Sequence, residues 1–393
     1  MARAYLDHAS SSPLRPAALD AMLPFLRDHV GDPGRLHAEG RVTRVAIETA
    51  REQVAALFGA RPREVVFTSS GTEAVNTAVY GARARAAEQG KHRVVTTAVE
   101  HSAVLDACKR EMGSEIGSKM REYESGEHVL EVGVDRLGRF DPRDVIDAID
   151  DATALVSVQL ANHEVGTMQS VTDVIAAARL RDVAVHIDAC AAAGHVAIDF
   201  AALGADLCSV TGHKWGAPKG AAALLVRRGM RFPSFVLGGS QERARRGGIE
   251  DVGAIVGFGA AAAELGPSGQ LAHEAAAARH LSARLAAGAT EVPGVERYGD
   301  PDASLPHLVC LGVAGVEAEP ILLALDQHGV AVHSGSSCSS ETLEPSPVLA
   351  AMGVDADRSL RASTGWSSTE SDIDAFLDAF PGIVERLRGL RTT

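Results

Sequence analysis

Residues 205–214 read Ala205-Asp206-Leu207-Cys208-Ser209-Val210-Thr211-Gly212-His213-Lys214. The first half is a short apolar run with strand character, and the second half is a turn that delivers a lysine beside a histidine, a glycine and hydroxyls. A second run of the same kind, Val183-Ala184-Val185-His186-Ile187-Asp188, ends on a carboxylate 26 residues before that lysine. Two strands that each end on a reactive side chain point to an open sheet whose ligands collect at the carboxyl ends of the strands.

Working outward, the same alternation continues. Further strand-like runs are Glu64 to Phe67, His92 to Thr96, Ala154 to Val158 and Ala221 to Val226. Helical patterns cover Val42 to Phe58, Glu73 to Gln89, Val171 to Leu180 and Val252 to Leu265. Strands alternating with helices over about 200 residues predict an α/β fold, a mostly parallel sheet covered by helices on both faces. After the break Gly266-Pro267-Ser268-Gly269 come a long helix over Leu271 to Ala287, a strand over Leu308 to Val313, a helix over Pro320 to His328 and a last helix over Ser371 to Arg388. These read as a smaller α+β unit.

Composition narrows the class. The chain has 393 residues, enough for two domains, and its 46% hydrophobic and 23% charged content suits a globular protein. A net charge of −13 argues against nucleic-acid and anionic-membrane partners, which reward clustered Lys and Arg. No apolar run approaches the length of a membrane span, and Met1 to Asp7 shows no apolar signal region, so a cytoplasmic location is expected. The five cysteines (Cys108, Cys190, Cys208, Cys310, Cys338) are odd in number and lack CxxC spacing, which disfavours disulfides and a metal centre. Cys208 and Cys310 sit in apolar strands and Cys108 on a helix, as core residues do.

The remaining motifs carry chemistry. Thr68-Ser69-Ser70-Gly71-Thr72-Glu73 follows a strand and opens a helix, where free N–H groups, the dipole and hydroxyls suit a phosphate. A phosphate cradle, a lysine able to form a Schiff base and an aspartate able to hold a pyridine nitrogen protonated together meet the needs of pyridoxal phosphate. His101, in Val99-Glu100-His101-Ser102, stands where it can stack on the cofactor ring and exchange protons with substrate. The amide of Asn162, in Ala161-Asn162-His163-Glu164-Val165-Gly166, suits the ring's phenolic oxygen. Cys338 lies among seven consecutive Gly, Ser and Cys residues, Ser334 to Ser340, the composition of a loop, and a cysteine there can act as a nucleophile. Arg361, in the strand-like Ser359 to Ser363, offers a fork for an α-carboxylate.

Together these stretches resemble the cysteine desulfurase family, class V of the fold-type I pyridoxal-phosphate enzymes. The resemblance runs from Tyr5-Leu6-Asp7-His8 to Thr369-Glu370-Ser371-Asp372 and includes Gln241-Glu242-Arg243 and Gly335-Ser336-Ser337-Cys338 with Leu343-Glu344-Pro345-Ser346. It implies a large domain over 15–258 with a mostly parallel seven-stranded sheet. It also implies a smaller α+β domain, from 1–14 and 259–393, that carries the Cys338 loop. By the same resemblance Lys214 is the Schiff-base lysine, Asp188 the pyridinium partner and His101 the stacking ring. Thr72, Thr211 and His213, with the amides of Gly71 and Thr72, bind the phosphate. Arg361 and Asn162 hold the substrate. The implied reaction turns L-cysteine into L-alanine, with sulfur passing to Cys338 as a persulfide and then to an acceptor protein. A homodimer is also implied.

The sequence departs from the family in places. A glutamine usually stands three residues after the aspartate, where this chain has Ala191, and a threonine that reaches the partner subunit's phosphate is replaced by Ile249. These changes leave room for a related carbon–sulfur or selenocysteine lyase, or for a non-catalytic paralogue.

Overall fold

The computed structural model describes residues 3–110, 128–266, 269–335 and 346–391. Seven strands form one sheet in the spatial order Val65–Thr68, Ala222–Val226, Leu207–Thr211, Ala184–Asp188, Thr153–Gln159, Arg93–Thr97, Val129–Val132. Only Ala222–Val226 runs against its neighbours; the other pairings are parallel.

Strands Thr153–Gln159, Ala184–Asp188 and Leu207–Thr211 are buried at every residue. Helices cover both faces, which is why these strands read as unbroken apolar runs. The two-residue strand period sorts their side chains. Val94, Leu155, Ala184, Leu207 and Leu224 pack under Ala74, Val75, Ala78 and Ala82 of helix Gly71–Ala87. Their neighbours Val95, Val156, Val185, Cys208 and Leu225 face the opposite core with Ile47, Val54 and Phe258. Helix Gly71–Ala87 begins at Ser70, whose hydroxyl accepts from the Glu73 amide at 3.1 Å.

A four-stranded antiparallel sheet has the order His333–Ser334, Ser359–Ser363, Leu308–Val313, Val295–Tyr298. Its core joins Leu285, Val309, Leu311, Leu360, Phe376 and Phe380 with Ala4 and Leu6 from the start of the chain. Strand Ala4–Tyr5 pairs in parallel with Val330–Ala331, so residues 7–12 are carried to the large sheet's lysine turn from the far end of the sequence.

Two of the elements that lay outside the sequence reading show what hid them. Strand Val129–Val132 is an edge strand with Leu130 and Glu131 exposed, so it lacks the apolar run of its neighbours. Helix Pro16–Arg27 starts on a proline and contains Pro24, residues that usually break a helix, although Leu19, Met22, Leu23 and Leu26 recur at helical spacing.

Candidate active site

The candidate residues converge on the carboxyl edge of the large sheet. Asp188 is the last residue of its strand, in register with Ser209 on one side and Gln159 on the other. Strand Leu207–Thr211 ends beside it and turns through Gly212 to His213 and Lys214. A Cβ on Gly212 would lie 2.6 Å from Ala217 and 2.8 Å from Phe258, so only glycine allows this turn to pack so closely. The turn is braced from two sides. The Trp215 indole donates to the Thr211 carbonyl at 2.6 Å, and the Ser12 hydroxyl donates to the Lys214 carbonyl at 2.7 Å.

The phosphate-type loop meets this edge directly. A Cβ on Gly71 would lie 2.8 Å from Cys190 Sγ and 3.6 Å from Thr211 Cβ, so the bare glycine opens the space where helix Gly71–Ala87 faces the end of strand Leu207–Thr211. The amides of Gly71 and Thr72 lie in the first turn, where no carbonyl of their own helix can accept them. Thr211 Oγ1 and His213 Nδ1 are 2.8 Å apart. Burial, with Lys214 and Lys219 nearby, pulls the His213 imidazole down to about 4, so at neutral pH it is uncharged.

His101 caps helix Ser102–Lys109, its Nδ1 accepting from the Ala103 amide at 3.0 Å, and its ring meets His163 edge-on at 4.9 Å. Asn162 is fully buried. Its Oδ1 accepts the amides of Glu164 and Val165 at 2.8 and 2.9 Å. Its Nδ2 donates to the Val99 carbonyl at 3.1 Å and reaches Gln159 at 3.5 Å. Its amide is thus chiefly a clamp on the 162–165 turn, and only the long contact to Gln159 is readily exchanged for another acceptor.

Arg361 lies opposite His333 and Cys310 in the small sheet. Its guanidinium donates to the His163 carbonyl at 3.0 Å, to Ser10 at 2.7 Å and to Asp7 at 3.2 Å, while its Nε has no partner. Cys338 lies outside the described residues. The chain enters that stretch at Gly335, whose amide bonds the Ser359 carbonyl at 2.9 Å. It leaves at Ser346, whose hydroxyl donates to Glu164 at 2.5 Å. Both ends therefore stand near Arg361's strand and the 162–165 turn.

Several participants were not expected from the sequence. Glu100 is buried, and burial pushes its carboxyl up to about 8 although Thr97 and the Gln159 amide donate to it. Asp7 and Ser10 arrive from the opposite end of the chain. Cys190 falls in the same pocket as Gly71 and Thr211; its position two residues after a strand-ending aspartate was the available signal.

These residues fit pyridoxal phosphate. An amine stands at one strand end and a carboxylate at the next, with a glycine-opened cradle and hydroxyl and imidazole donors facing them. Lys214 would bond the aldehyde, Asp188 the ring nitrogen, and Gly71, Thr72, Thr211 and His213 the phosphate.

A fold of this type with this site defines a class, and the comparisons agree. The family model for aminotransferase class-V matches residues 4–376, and the chain belongs to that family. Among relatives, it is 41% identical over 395 residues to the IscS-like cysteine desulfurase of Mycobacterium tuberculosis, covering 98% of this chain and 97% of the relative. It is 36% identical over 389 residues to the cysteine desulfurase IscS of Methanosarcina thermophila, covering 98% and 93%. Among solved structures, a NifS-like protein superposes with a TM-score of 0.87 at 30% identity, over 98% of this chain and all of that one. SspA in complex with cysteine gives a TM-score of 0.75 at 27% identity, over 93% and 99%.

Proposed function

We propose that the protein is a pyridoxal-phosphate-dependent cysteine desulfurase, which converts L-cysteine to L-alanine and takes the sulfur onto Cys338. The observation that carries this reading is the meeting of Lys214, Asp188, Thr211 and Gly71 at one sheet edge. Membership of the class-V family and near full-length similarity to cysteine desulfurases support it.

Bound pyridoxal phosphate supplies an aldehyde for the substrate amine and an electron-withdrawing ring beside Cα. The chain's own residues do the rest. Arg361 binds the substrate carboxylate by giving up its bonds to Asp7 and Ser10. Lys214 Nζ, displaced as substrate enters, takes the proton from Cα and later returns one. His101 covers the ring face and exchanges protons at the substrate. The Cys338 thiolate attacks the substrate sulfur. An S–S bond forms, the Cβ–S bond breaks, its electron pair stays on carbon, and a proton completes alanine. Cysteine and a thiol thus become alanine and a persulfide, and the outer sulfur then passes to a thiol of an acceptor protein.

A homodimer belongs to the same proposal. Exposed Leu19, Leu23 and Leu26 on helix Pro16–Arg27, and Val42 and Val45 on helix Ala38–Leu57, offer an apolar face for a second copy. A cytoplasmic location fits four free cysteines among the described residues. No described helix is long and apolar enough to cross a membrane.

The test is alanine and sulfide release from L-cysteine with a thiol reductant, comparing wild type with Cys338→Ala. Equal amounts of both products from wild type and little of either from the variant are expected. Equal turnover by the two proteins would remove Cys338 from the mechanism.

A further inference from the structure

Glu100 is a buried carboxyl that the mechanism above leaves unused, and it immediately precedes His101 in the chain. Its Oε1 accepts two hydrogen bonds. The Thr97 hydroxyl donates at 2.5 Å and the Gln159 amide at 3.0 Å. Thr97 ends strand Arg93–Thr97 and Gln159 ends strand Thr153–Gln159, and these two strands pair in parallel. Gln159 in turn lies in register with Asp188 on the next strand. One carboxyl therefore ties together two strand ends at the edge where the candidate residues meet.

The turn that delivers His101 depends on that tie. From Thr97 the chain runs through Ala98 and Val99 to Glu100, and of these three only Glu100 can hydrogen-bond through its side chain. The Asn162 amide adds a second clip, donating to the Val99 carbonyl at 3.1 Å. His101 follows at once and caps helix Ser102–Lys109, its Nδ1 accepting from the Ala103 amide at 3.0 Å. With Nδ1 engaged, Nε2 is the nitrogen left to gain or lose a proton. Its place is set by the backbone of 100–103, so whatever holds Glu100 also aims the ring.

We propose, resting on the pyridoxal-phosphate reading above, that Glu100 is a positioning residue for His101: by bridging the Thr97 hydroxyl and the Gln159 amide it fixes the turn that holds the imidazole over the cofactor ring. Its surroundings suit a neutral acid in that role. Oε2 is buried and has no hydrogen-bond partner among the described residues, which costs a neutral carboxyl far less than a carboxylate. Burial pushes the group up to about 8, so at neutral pH it keeps its proton. It then brings no second negative charge to the edge that carries Asp188, and its oxygen still receives both donors.

The experiment reads alanine formed from L-cysteine by the cofactor-loaded enzyme, with Glu100→Ala and Glu100→Gln each made in wild type and in His101→Ala. Glu100→Ala should lower kcat roughly 10- to 100-fold, because the imidazole loses its alignment. In the His101→Ala background the same change should add less than about twofold, since no imidazole is left to misplace. Glu100→Gln offers an oxygen to the same two donors and should stay within about threefold of wild type. Thr97→Val removes one donor with little change of shape. It predicts a loss of about threefold, again only with His101 present, and carries the comparison if Glu100→Ala is not recovered folded. An equal loss in both backgrounds, for either Glu100→Ala or Thr97→Val, would make Glu100 a general support of the sheet edge and overturn the proposal. So would a Glu100→Ala as active as wild type, or a Glu100→Gln as impaired as Glu100→Ala. A wild type that takes up no pyridoxal phosphate, or that makes no alanine when loaded, would sink the functional reading and this role with it. An active wild type with a background-independent loss sinks the role of Glu100 alone.

Discussion

Replacing Glu242 by glutamine tests how the cofactor cradle is held from behind. Glu242, Arg243 and Ala244 have φ of 46°, 58° and 61°, three consecutive non-glycine residues in the left-handed region, each costing on the order of 1 kcal/mol or more. What holds them there is a buried ion pair. The Arg51 guanidinium donates to both Glu242 oxygens at 2.8 and 2.7 Å, and the Phe67 amide adds a bond of 2.9 Å. The two side chains are 1% and 2% exposed. Breaking such a pair from one side costs about 3–5 kcal/mol, because the other charge stays buried without its partner. The glutamine oxygen retains one bond, so the lower end, about 3 kcal/mol, is expected. At roughly 2.1 cal/mol/K per residue, the unfolding entropy of a 393-residue chain is about 0.8 kcal/mol/K, which gives a fall in Tm of about 4 °C. The same turn carries Arg246, which pairs with Glu73 at 2.9 Å one residue from Thr72, so Glu242→Gln also weakens cofactor retention. Thermal unfolding followed by circular dichroism measures the first effect, and dialysis followed by cofactor absorbance the second. A Tm within about 1 °C of wild type would refute the reasoning. So would a double variant, Arg51→Met with Glu242→Leu, that is less stable than Glu242→Gln alone, because removing both charges together should recover stability.

Two further outcomes are expected. Arg361→Lys keeps the charge but loses the fork, so the KM for L-cysteine rises roughly 10- to 100-fold with a smaller change in kcat; an unchanged KM would place the carboxylate elsewhere. His186 is fully buried between Ser157 and Ser209, 2.8 Å from each, and burial pulls it down to about 4. Its unfolded value is higher, near 6.5, so the unfolded chain binds the proton first as pH falls. Its stabilising neutral state therefore prevails above about 6.5 and is lost progressively toward 4, a loss of roughly 2 kcal/mol at pH 5. Urea unfolding at pH 7 and pH 5 reads this loss, and His186→Gln should shrink the difference by about that amount.

Much of the fold was legible because its signals are local. Burial on both sheet faces demands continuous apolar runs, so Ala184–Asp188 and Leu207–Thr211 could be read within a residue of their ends. Helix Val252–Leu265 carried a clear apolar pattern of the right length and was read with its observed bounds. Strand Val129–Val132 was missed because its exposed edge lacks an apolar run, and helix Pro16–Arg27 because Pro16 and Pro24 read as breakers despite its apolar spacing.

The sequence by itself determined where most of the large sheet's strands and helices fall along the chain, that an aspartate and a lysine each follow a strand, and the glycine-and-hydroxyl loop, since each depends on residues close together in the chain. Only the tertiary structure decided which distant groups share the pocket. Arg361 meets Asp7 across more than 350 positions. Cys190, unlike the other three described cysteines, faces Gly71 rather than a core. Such contacts come from strand order and packing over long loops, and no short window of sequence encodes them.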